Sequence, residues 1–495
     1  MSAEKRDICI FLTEMTTMEK YDVLIVGAAT TGSWFAREMA KRGFKVLVIE
    51  KQERENVSRN YDIFHMQKKE MEKFGYPIPE RTDDDYAFEF DGGSYYSAYG
   101  NYPKRAHNEV VGMHKHRYIL RLNDDAVKAG AKIIYAAAFD GFLFDEKGRI
   151  SGAKYKTAEG EEEALASIVA DCSGIPSVAR TALPDGINAE NFVISPRDLF
   201  YVILRYIRYP DGHEKVIHTD SYLQYKVWTA PQADEKGAIL GVGANLGFDY
   251  AEEMFREFRK NVPWCSYDVQ KIEYGKTPYR RPPYSFVADG FIAMGDAACL
   301  TKPNNGEGCT SSLYQAEIAV DVISKALNEG GYLTEERLWS INKRYIEVQG
   351  KAFAGTMALL TSAAYLNCEE NEYFFKNDII FSKSIMAGFG KGISIPPAEI
   401  ERTLRLITAG VATGKIRVEL IRHVMKAFKN STEIKALYSE FPETPEGFDV
   451  WRGRANELWE KIGSMADNCD ETLIDRMERR KAGKITSVAA DGAQF

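Results

Sequence analysis

Long apolar runs are missing from this chain. Its longest stretch without a charged residue, 352–368, holds 17 residues and includes Gly, Thr, Ser and Asn, short of the roughly 20 apolar residues that a bilayer-spanning helix needs. No transmembrane helix is expected, and the stretch reads as a buried helix, with a lipid-entry surface as the less favoured alternative. Cysteines are few and scattered, seven in 495 residues without a CxxC pair, which argues against a disulfide framework and against a cysteine-based zinc site. A basic surplus is also lacking: 64 Lys and Arg stand against 72 Asp and Glu, for a net charge of −8. With no basic run, nucleic acid is not an expected partner. The first residues offer an apolar patch only from Cys9 to Leu12, too short for a signal-peptide core, so a cytoplasmic protein is expected.

What is present is an ordinary globular composition, 45% hydrophobic and 27% charged, in a chain long enough for about three structural units. Residues 1–17 read as an N-terminal extension. Tyr21 to Val26 is a β-branched apolar run, Thr30 to Lys41 has helical spacing closed by Gly43, and Lys45 to Ile49 is a second apolar run; together they predict a βαβ unit. Further helices are predicted over Ile63 to Lys73, Arg117 to Lys128 and Glu307 to Leu327. The text from 195 to 283 is aromatic and alternating, as in FYVILRYIRY and SYLQYKVW, and predicts an antiparallel sheet inserted into the first domain. Beyond Leu333 the pattern is mostly helical, with breaks near Ile393 to Pro397 and Phe441 to Phe448.

Three motifs carry chemistry. In Gly27-Ala28-Ala29-Thr30-Thr31-Gly32, Gly27 permits a tight turn, the small Ala29 lets the backbone approach a pyrophosphate, and Gly32 allows close packing of helix on strand. The helix start beyond it supplies unpaired N–H groups, and Glu50, 18 residues after Gly32, can accept both hydrogens of a ribose diol. A dinucleotide-binding turn follows from this register. The second motif is Gly295-Asp296 with Gly306-Glu307-Gly308-Cys309 behind it: an acid at a strand end for polyol hydroxyls, then a glycine-rich loop leading into a helix. The third, DCSGIPSVAR from Asp171 to Arg180, permits a sharp turn after a strand and is weak alone.

In order and rough spacing, GAATTG with Glu50, HRYILRLNDDA around Arg117, DCSGIPSVAR and GDAACLTKPNNGEGC resemble FAD-dependent oxidoreductases of the para-hydroxybenzoate hydroxylase-like superfamily, and within it most resemble the geranylgeranyl reductase family. The resemblance covers about residues 20–330. It implies an α/β fold: a discontinuous Rossmann-like FAD-binding domain (18–194 and 284–330), a substrate-binding antiparallel sheet (195–283) and a helical C-terminal region (331–495). It further implies FAD as cofactor, held by Gly27, Ala29, Thr31 and Gly32 at the pyrophosphate, Glu50 at the adenosine ribose, Arg117 in the phosphate region, and Gly295, Asp296, Gly306, Gly308 and Cys309 along the ribityl chain and ring. The family's Tyr-x-Trp-x-Phe-Pro segment is matched in part by Trp228 and Pro231, with Tyr225 slightly displaced and Ala230 in place of Phe, so Tyr225 and Trp228 are expected to line the substrate. One departure stands out: the family's Arg-Cys-Gly-x-Gly is Arg59-Asn60-Tyr61-Asp62 here, with Tyr61 where the cysteine belongs.

The catalytic group is left unassigned, with His65 and Tyr61 as candidates. His114 and His116 lack metal-pair spacing, and no metal is expected. The glycines of 241–247 have the wrong spacing for a second nucleotide site, so the expected electron donor is external, whether NAD(P)H, ferredoxin or another reductant. The leading expectation is an enzyme that reduces a carbon–carbon double bond of a hydrophobic, prenyl-lipid-like or conjugated enoate substrate by hydride from flavin N5, with peripheral contact to a membrane left open. The alternatives are an FAD-dependent monooxygenase of aromatic or polyketide-like substrates, and a non-catalytic prenyl-binding protein on a related fold.

Overall fold

The structure is a computed structural model and describes residues 19–59, 62–262, 267–362, 366–379, 382 and 397–484. The extension 1–17, the candidate Tyr61 and most of the predicted break near Ile393 lie outside the described residues. In chain order the strands are β1 (Lys20–Val26), β2 (Val46–Ile49), β3 (Ile63–Gln67), β4 (Tyr86–Tyr96), β5 (Lys104–His114), β6 (Lys132–Ile134), β7 (Ala138–Phe144), β8 (Ile150–Thr157), β9 (Gly160–Asp171), β10 (Leu199–Arg208), β11 (Thr219–Tyr222), β12 (Val227–Pro231), β13 (Gly237–Ala244), β14 (Asp268–Pro278), β15 (Val287–Ala288) and β16 (Phe291–Ala293). The helices that matter for the site are α1 (Thr30–Lys41), α2 (Lys68–Lys73), α3 (Lys115–Lys128), α4 (Phe248–Asn261) and α5 (Ser311–Glu329).

The first sheet runs β15-β16-β9-β1-β2-β6, with β8 paired to β9 and β7 to β8. Its central strands are parallel, and their register is the main positional fact of the fold: Val26 pairs with Ile49 on one side and Asp171 on the other, and Asp171 pairs with Ala293. The segments that follow these strands therefore leave the same edge of one sheet. Parallel strands covered on both faces read as continuous apolar runs, and Val23–Val26 and Val46–Ile49 are buried throughout.

The second sheet runs β14-β10-β13-β12-β11-β4-β5-β3 and is antiparallel except where β11 meets β4. It takes in more of the chain than 195–283, because β3, β4 and β5, from within the stretch assigned to the first domain, form its far half. Two expectations are corrected here. Ile63 to Lys73 is a strand followed by the short α2 rather than one helix, because Ile63 and Met66 are recruited to sheet faces beside β5. The helix expected from Glu307 starts at Ser311, since 302–308 closes a turn on itself through Lys302 N–H to the Glu307 carbonyl at 2.8 Å and Gly306 N–H to the Lys302 carbonyl at 2.9 Å.

Alternation along β10 sorts its two faces. Ile203 and Ile207 pack under α4 with Phe255 and Phe258, while Leu204 and Tyr206 join Phe88, Phe90, Val110 and Ile239 on the opposite, inner face. The sheet curls enough for its end strands to meet: the Asp62 N–H donates to Glu273 Oε2 at 3.1 Å, Lys271 Nζ reaches Asp62 at 3.3 Å, and Tyr206 Oη donates to Glu273 at 2.9 Å. On the inner face, three glycines make room for rings laid flat on the backbone. A Cβ at Gly112, Gly241 or Gly243 would stand 2.2 Å from ring atoms of Phe88, Trp228 and Phe200 respectively. The glycines of 241–247 are thus packing glycines in β13.

From Glu335 onward every described element is helical. Ser340–Tyr345 and Lys351–Ser362 are joined through a π-helical turn, Ile346–Gly350, which absorbs one extra residue in the helix. Helices Val418–Ser439 and Phe448–Ile462 place Leu437, Tyr438, Trp451 and Ala455 in the same core as β1, β2 and α1. Trp339 is the hinge of that packing: it stacks on Phe441 at 5.6 Å, meets Phe448 edge-on at 5.0 Å, and donates its indole N–H to the Pro442 carbonyl at 3.0 Å. No helix among the described residues is long and apolar enough to cross a membrane. Trp339→Ala should cost about 3–5 kcal/mol and lower a single calorimetric transition. A separate early transition, with the first sheet's melting unmoved, would show that the C-terminal helices fold independently.

Candidate active site

The edge where β1, β2, β9 and β16 end collects the motifs. Gly27 sits at φ +104°, and a Cβ there would lie 2.5 Å from the Cys172 carbonyl oxygen; one at Gly32 would lie 2.0 Å from the Gly27 carbonyl oxygen. Only glycines allow this turn to pass so close to the next strand and to α1. No side chain caps α1, whose N-cap is Ala29, so its first-turn N–H groups are open to an anion. The turn is braced from behind: Ser33 Oγ and Asn123 Nδ2 both donate to the Ala28 carbonyl at 2.9 Å. Glu50, buried at the end of β2, accepts from Ala28 N–H at 2.9 Å and Gln52 N–H at 3.0 Å, which fixes its carboxylate and leaves each oxygen a further lone pair.

The third motif proves to be a brace. Asp171, fully buried, accepts from Ser173 N–H at 2.9 Å and Arg180 N–H at 2.6 Å, and the Arg180 guanidinium donates through Nε to the Ala297 carbonyl at 2.7 Å. The turn after β9 is thereby tied to the Gly295–Ala298 turn after β16. Gly295, at φ +64°, backs onto Thr31, whose Oγ1 would stand 3.1 Å from a Cβ there. The Thr30 side chain lies near the Cys309 thiol. GAATTG, GDAA and GEGC thus touch one another.

Asp296 faces Thr301 Oγ1 at 3.5 Å, and Gly308 passes so near that a Cβ would be 3.1 Å from Asp296 Oδ1. Burial pushes the Asp296 carboxyl upward against the pull of Lys115, and pushes the Cys309 thiol to about 12, so Cys309 is a neutral thiol at physiological pH. Glu307 accepts from Thr310 N–H at 2.6 Å and pairs with Lys302 Nζ at 3.0 Å.

Arg117 is not among these groups. Its side chain is exposed and donates to the Asp84 carbonyl at 2.7 Å. The inward cation is Lys115, whose ammonium is pushed down by burial and held up by Cys309, Asp296 and Glu273. Two residues at about 100° each separate these side chains by roughly 200° around α3, so they take opposite faces. Sequence reasoning missed Lys115 because the arginine carried the resemblance; helical phase against the apolar positions Tyr118, Ile119 and Leu122 was the available signal.

His65 sits on β3, edge-on to Phe90 at 5.6 Å, with its outer surface exposed. Burial pushes its imidazole below the ordinary histidine range, opposed by Glu307. Trp228 lies on the inner face over Gly241, but Tyr225 does not join it. Tyr225 is 1% exposed, accepts from Asn261 Nδ2 at 2.9 Å, meets Cys368 Sγ at 3.1 Å and packs on Phe258 beneath α4. Strand β14 binds the inner face to the glycine-rich loop, for Thr277 Oγ1 lies 3.2 Å from Thr301 Oγ1 and Tyr279, whose ring lies 5.1 Å from Phe200, donates to the Pro303 carbonyl. Among the described residues, no cluster of His, Cys, Asp and Glu could hold a metal ion.

This donor set fits a dinucleotide flavin: an uncapped helix start behind two glycines that admit no Cβ, a fixed acid at the ribose position, and a second acid beside a glycine loop. No protein-family model matches the chain. It is similar to the digeranylgeranylglycerophospholipid reductase of Sulfolobus acidocaldarius, 22% identical over 457 residues, 89% of this chain and 97% of that protein. The reductase of the same name from Methanosarcina acetivorans is 24% identical, over 71% of this chain and 86% of that one. Among solved structures, a geranylgeranyl bacteriochlorophyll reductase-like protein from Thermoplasma acidophilum superposes with a TM-score of 0.64 at 21% identity, covering 84% of this chain and all of that one. The myxobacterial chondrochloren halogenase, an FAD-dependent halogenase, gives 0.56 at 17% identity, covering 85% of this chain and 97% of that one. Lys115→Met should weaken flavin retention by about tenfold or more, as loss of a buried charge contact does, whereas Arg117→Met should leave flavin content at the wild-type level; absorbance of the purified variants decides between the two faces of α3.

Proposed function

We propose that this chain, a flavin-dependent oxidoreductase of the geranylgeranyl reductase family, holds FAD at the sheet edge and reduces a carbon–carbon double bond of a hydrophobic substrate. The observation that carries the reading is the inner face of the second sheet, where Phe88, Phe200 and Trp228 lie flat over glycines and join, through Tyr279, the loop that would border the flavin ring. The names of the relatives support a prenyl-lipid-like substrate, and a curled apolar sheet suits a chain more than a compact aromatic acid.

Gly27, Ala29, Thr31 and Gly32 would hold the pyrophosphate with the open N–H groups of α1, Glu50 the adenosine ribose, and Lys115 the phosphate region in place of Arg117. Gly295, Asp296, Gly306, Gly308 and Cys309 would follow the ribityl chain and ring. Bound and reduced, the cofactor supplies hydride to one alkene carbon. The protein's part is to lay the alkene on the ring-covered floor and keep water out, and to hold a proton for the other carbon. His65, a titratable side chain beside Phe90, would hold that proton. Its depressed pKa leaves it mostly neutral at pH 7, so its protonated fraction grows as pH falls. The glycines of β13 serve packing, which supports an external source of electrons.

Anaerobically reduced holoprotein mixed with geranylgeranyl lipids should reoxidise and yield the saturated chain by mass spectrometry. Failure with every prenyl lipid and conjugated enoate, together with oxygen insertion into an aromatic substrate in air, would overturn the reading in favour of a monooxygenase. In the same assay the reductive rate should rise as the pH falls below the ordinary histidine value of about 6.5, and His65→Phe should flatten that profile; an unchanged profile removes His65 from the proton path.

A further inference from the structure

Lysine side chains are seldom enclosed without a carboxylate beside them, and Lys226 is such a case. It follows Tyr225 and precedes β12, with its Nζ 5.3 Å from the centre of the Phe200 ring, on the inner side of the second sheet. Among the described residues, the hydrogen-bond partner of its ammonium is Asn245 Oδ1, at the long distance of 3.5 Å; the amide nitrogen of that asparagine is turned away to the Leu199 carbonyl at 3.3 Å. No carboxylate among the described residues lies within ion-pair distance of Nζ, and the Cys469 thiol beside it is pushed up by burial and so stays neutral. The side chain keeps a partly open surface. Backbone geometry does not explain the choice of residue, since position 226 has φ +47°, where asparagine or glycine is the easier occupant. Burial lowers the ammonium's pKa, the strain of a cation without a counterion.

We propose that Lys226 is the anchor for an anionic group, a carboxylate or a phosphate, carried at one end of an apolar substrate that lies across Phe200 and Trp228. The proposal rests on the reading of the inner face as the substrate floor. The ligand is amphiphilic: an acid at the Phe200 end, beside the loop that Tyr279 contacts, and an apolar chain running over Trp228 towards Phe88 and Phe90. The preceding residue, Tyr225, turns to the other side of the sheet, beneath α4.

Binding to the flavin-loaded full chain tests this, read as the flavin's absorbance perturbation and by calorimetry. The probes are matched sets of one chain length: dodecyl phosphate, dodecanoate and dodecanol, and geranylgeranyl phosphate with geranylgeraniol. The wild type should bind the anionic members about tenfold or more tightly than the alcohols, as expected for a charge-assisted contact replacing a neutral one. Lys226→Met should erase that preference and Lys226→Arg should keep it, with flavin content and melting temperature reporting that each variant is folded. Preference for phosphate alone, or for carboxylate alone, identifies the headgroup. Equal binding of acid and alcohol by the wild type, or a preference surviving in Lys226→Met, overturns the proposal. Because the alkyl probes contain no double bond, the anchor can hold while alkene reduction fails, and alkene reduction can hold while the anchor fails.

Discussion

Parallel pairing of β9, β1 and β2 with β16 is the constraint on which the rest depends. Four strands with matched ends deliver Gly27, Glu50, Asp171 and Gly295 to one edge, and no side-chain contact could assemble those groups from segments so far apart in sequence. Crossover connections between parallel strands must run over the sheet faces, and that is where α1 packs. The side-chain ties then act on a scaffold already in register. Asp171 and Arg180 lock one turn to another, and Ser33 with Asn123 locks the first glycine turn, so that the buried Asp171 carboxylate and Ala28 carbonyl are satisfied by neighbours while no side chain caps the start of α1.

Glycine has two separate uses in this chain. At the sheet edge it removes a Cβ so that backbone can approach backbone, as at Gly27 and Gly32. On the second sheet it removes a Cβ so that a ring can lie on the strand, as at Gly112, Gly241 and Gly243. The second use opens a sheet face that would otherwise be filled by its own side chains, and it replaces them with apolar, weakly directional surface. Such a surface holds a chain by area and places few limits on its length or branching, which leaves discrimination to the few polar groups around it.

The βαβ unit, Glu50, the Gly-Asp strand end and the glycine loop were legible because each depends on local rules: a two-residue turn, a helix start, a strand length. The far end of the second sheet was not, because β3, β4 and β5 are separated from β10–β14 by α3 and β6–β9, and Ile63 to Lys73 carries apolar residues that fit a helix as well as a strand; tertiary pairing decided it. Arg117 and Tyr225 were misplaced for one shared reason. Each was chosen by residue type near a motif, whereas the facing position was Lys115 in one case and Lys226 in the other. In a helix two residues shift a side chain to the opposite face, and at a turn with φ above zero one residue suffices, so phase outweighs chemical likeness at this range.

Lys115, Lys226, Asp296 and His65 share a property that connects the two sheets. Each is pushed by desolvation towards its neutral form, opposed at Lys115 by Cys309, Asp296 and Glu273, at Asp296 by Lys115, and at His65 by Glu307. A protein interior tolerates such groups only at a cost in stability, about 1.4 kcal/mol for each unit of displaced pKa, and a ligand that satisfies them recovers part of it. Cofactor and substrate are therefore expected to stabilise the fold through the same cleft, and not through independent patches. The structural link is β14, whose Thr277, with Tyr279 just beyond its end, binds the 301–303 segment while the strand pairs with β10, the strand that carries Phe200. A ligand that ordered the glycine loop would act through these contacts on the Phe200 end of the second sheet.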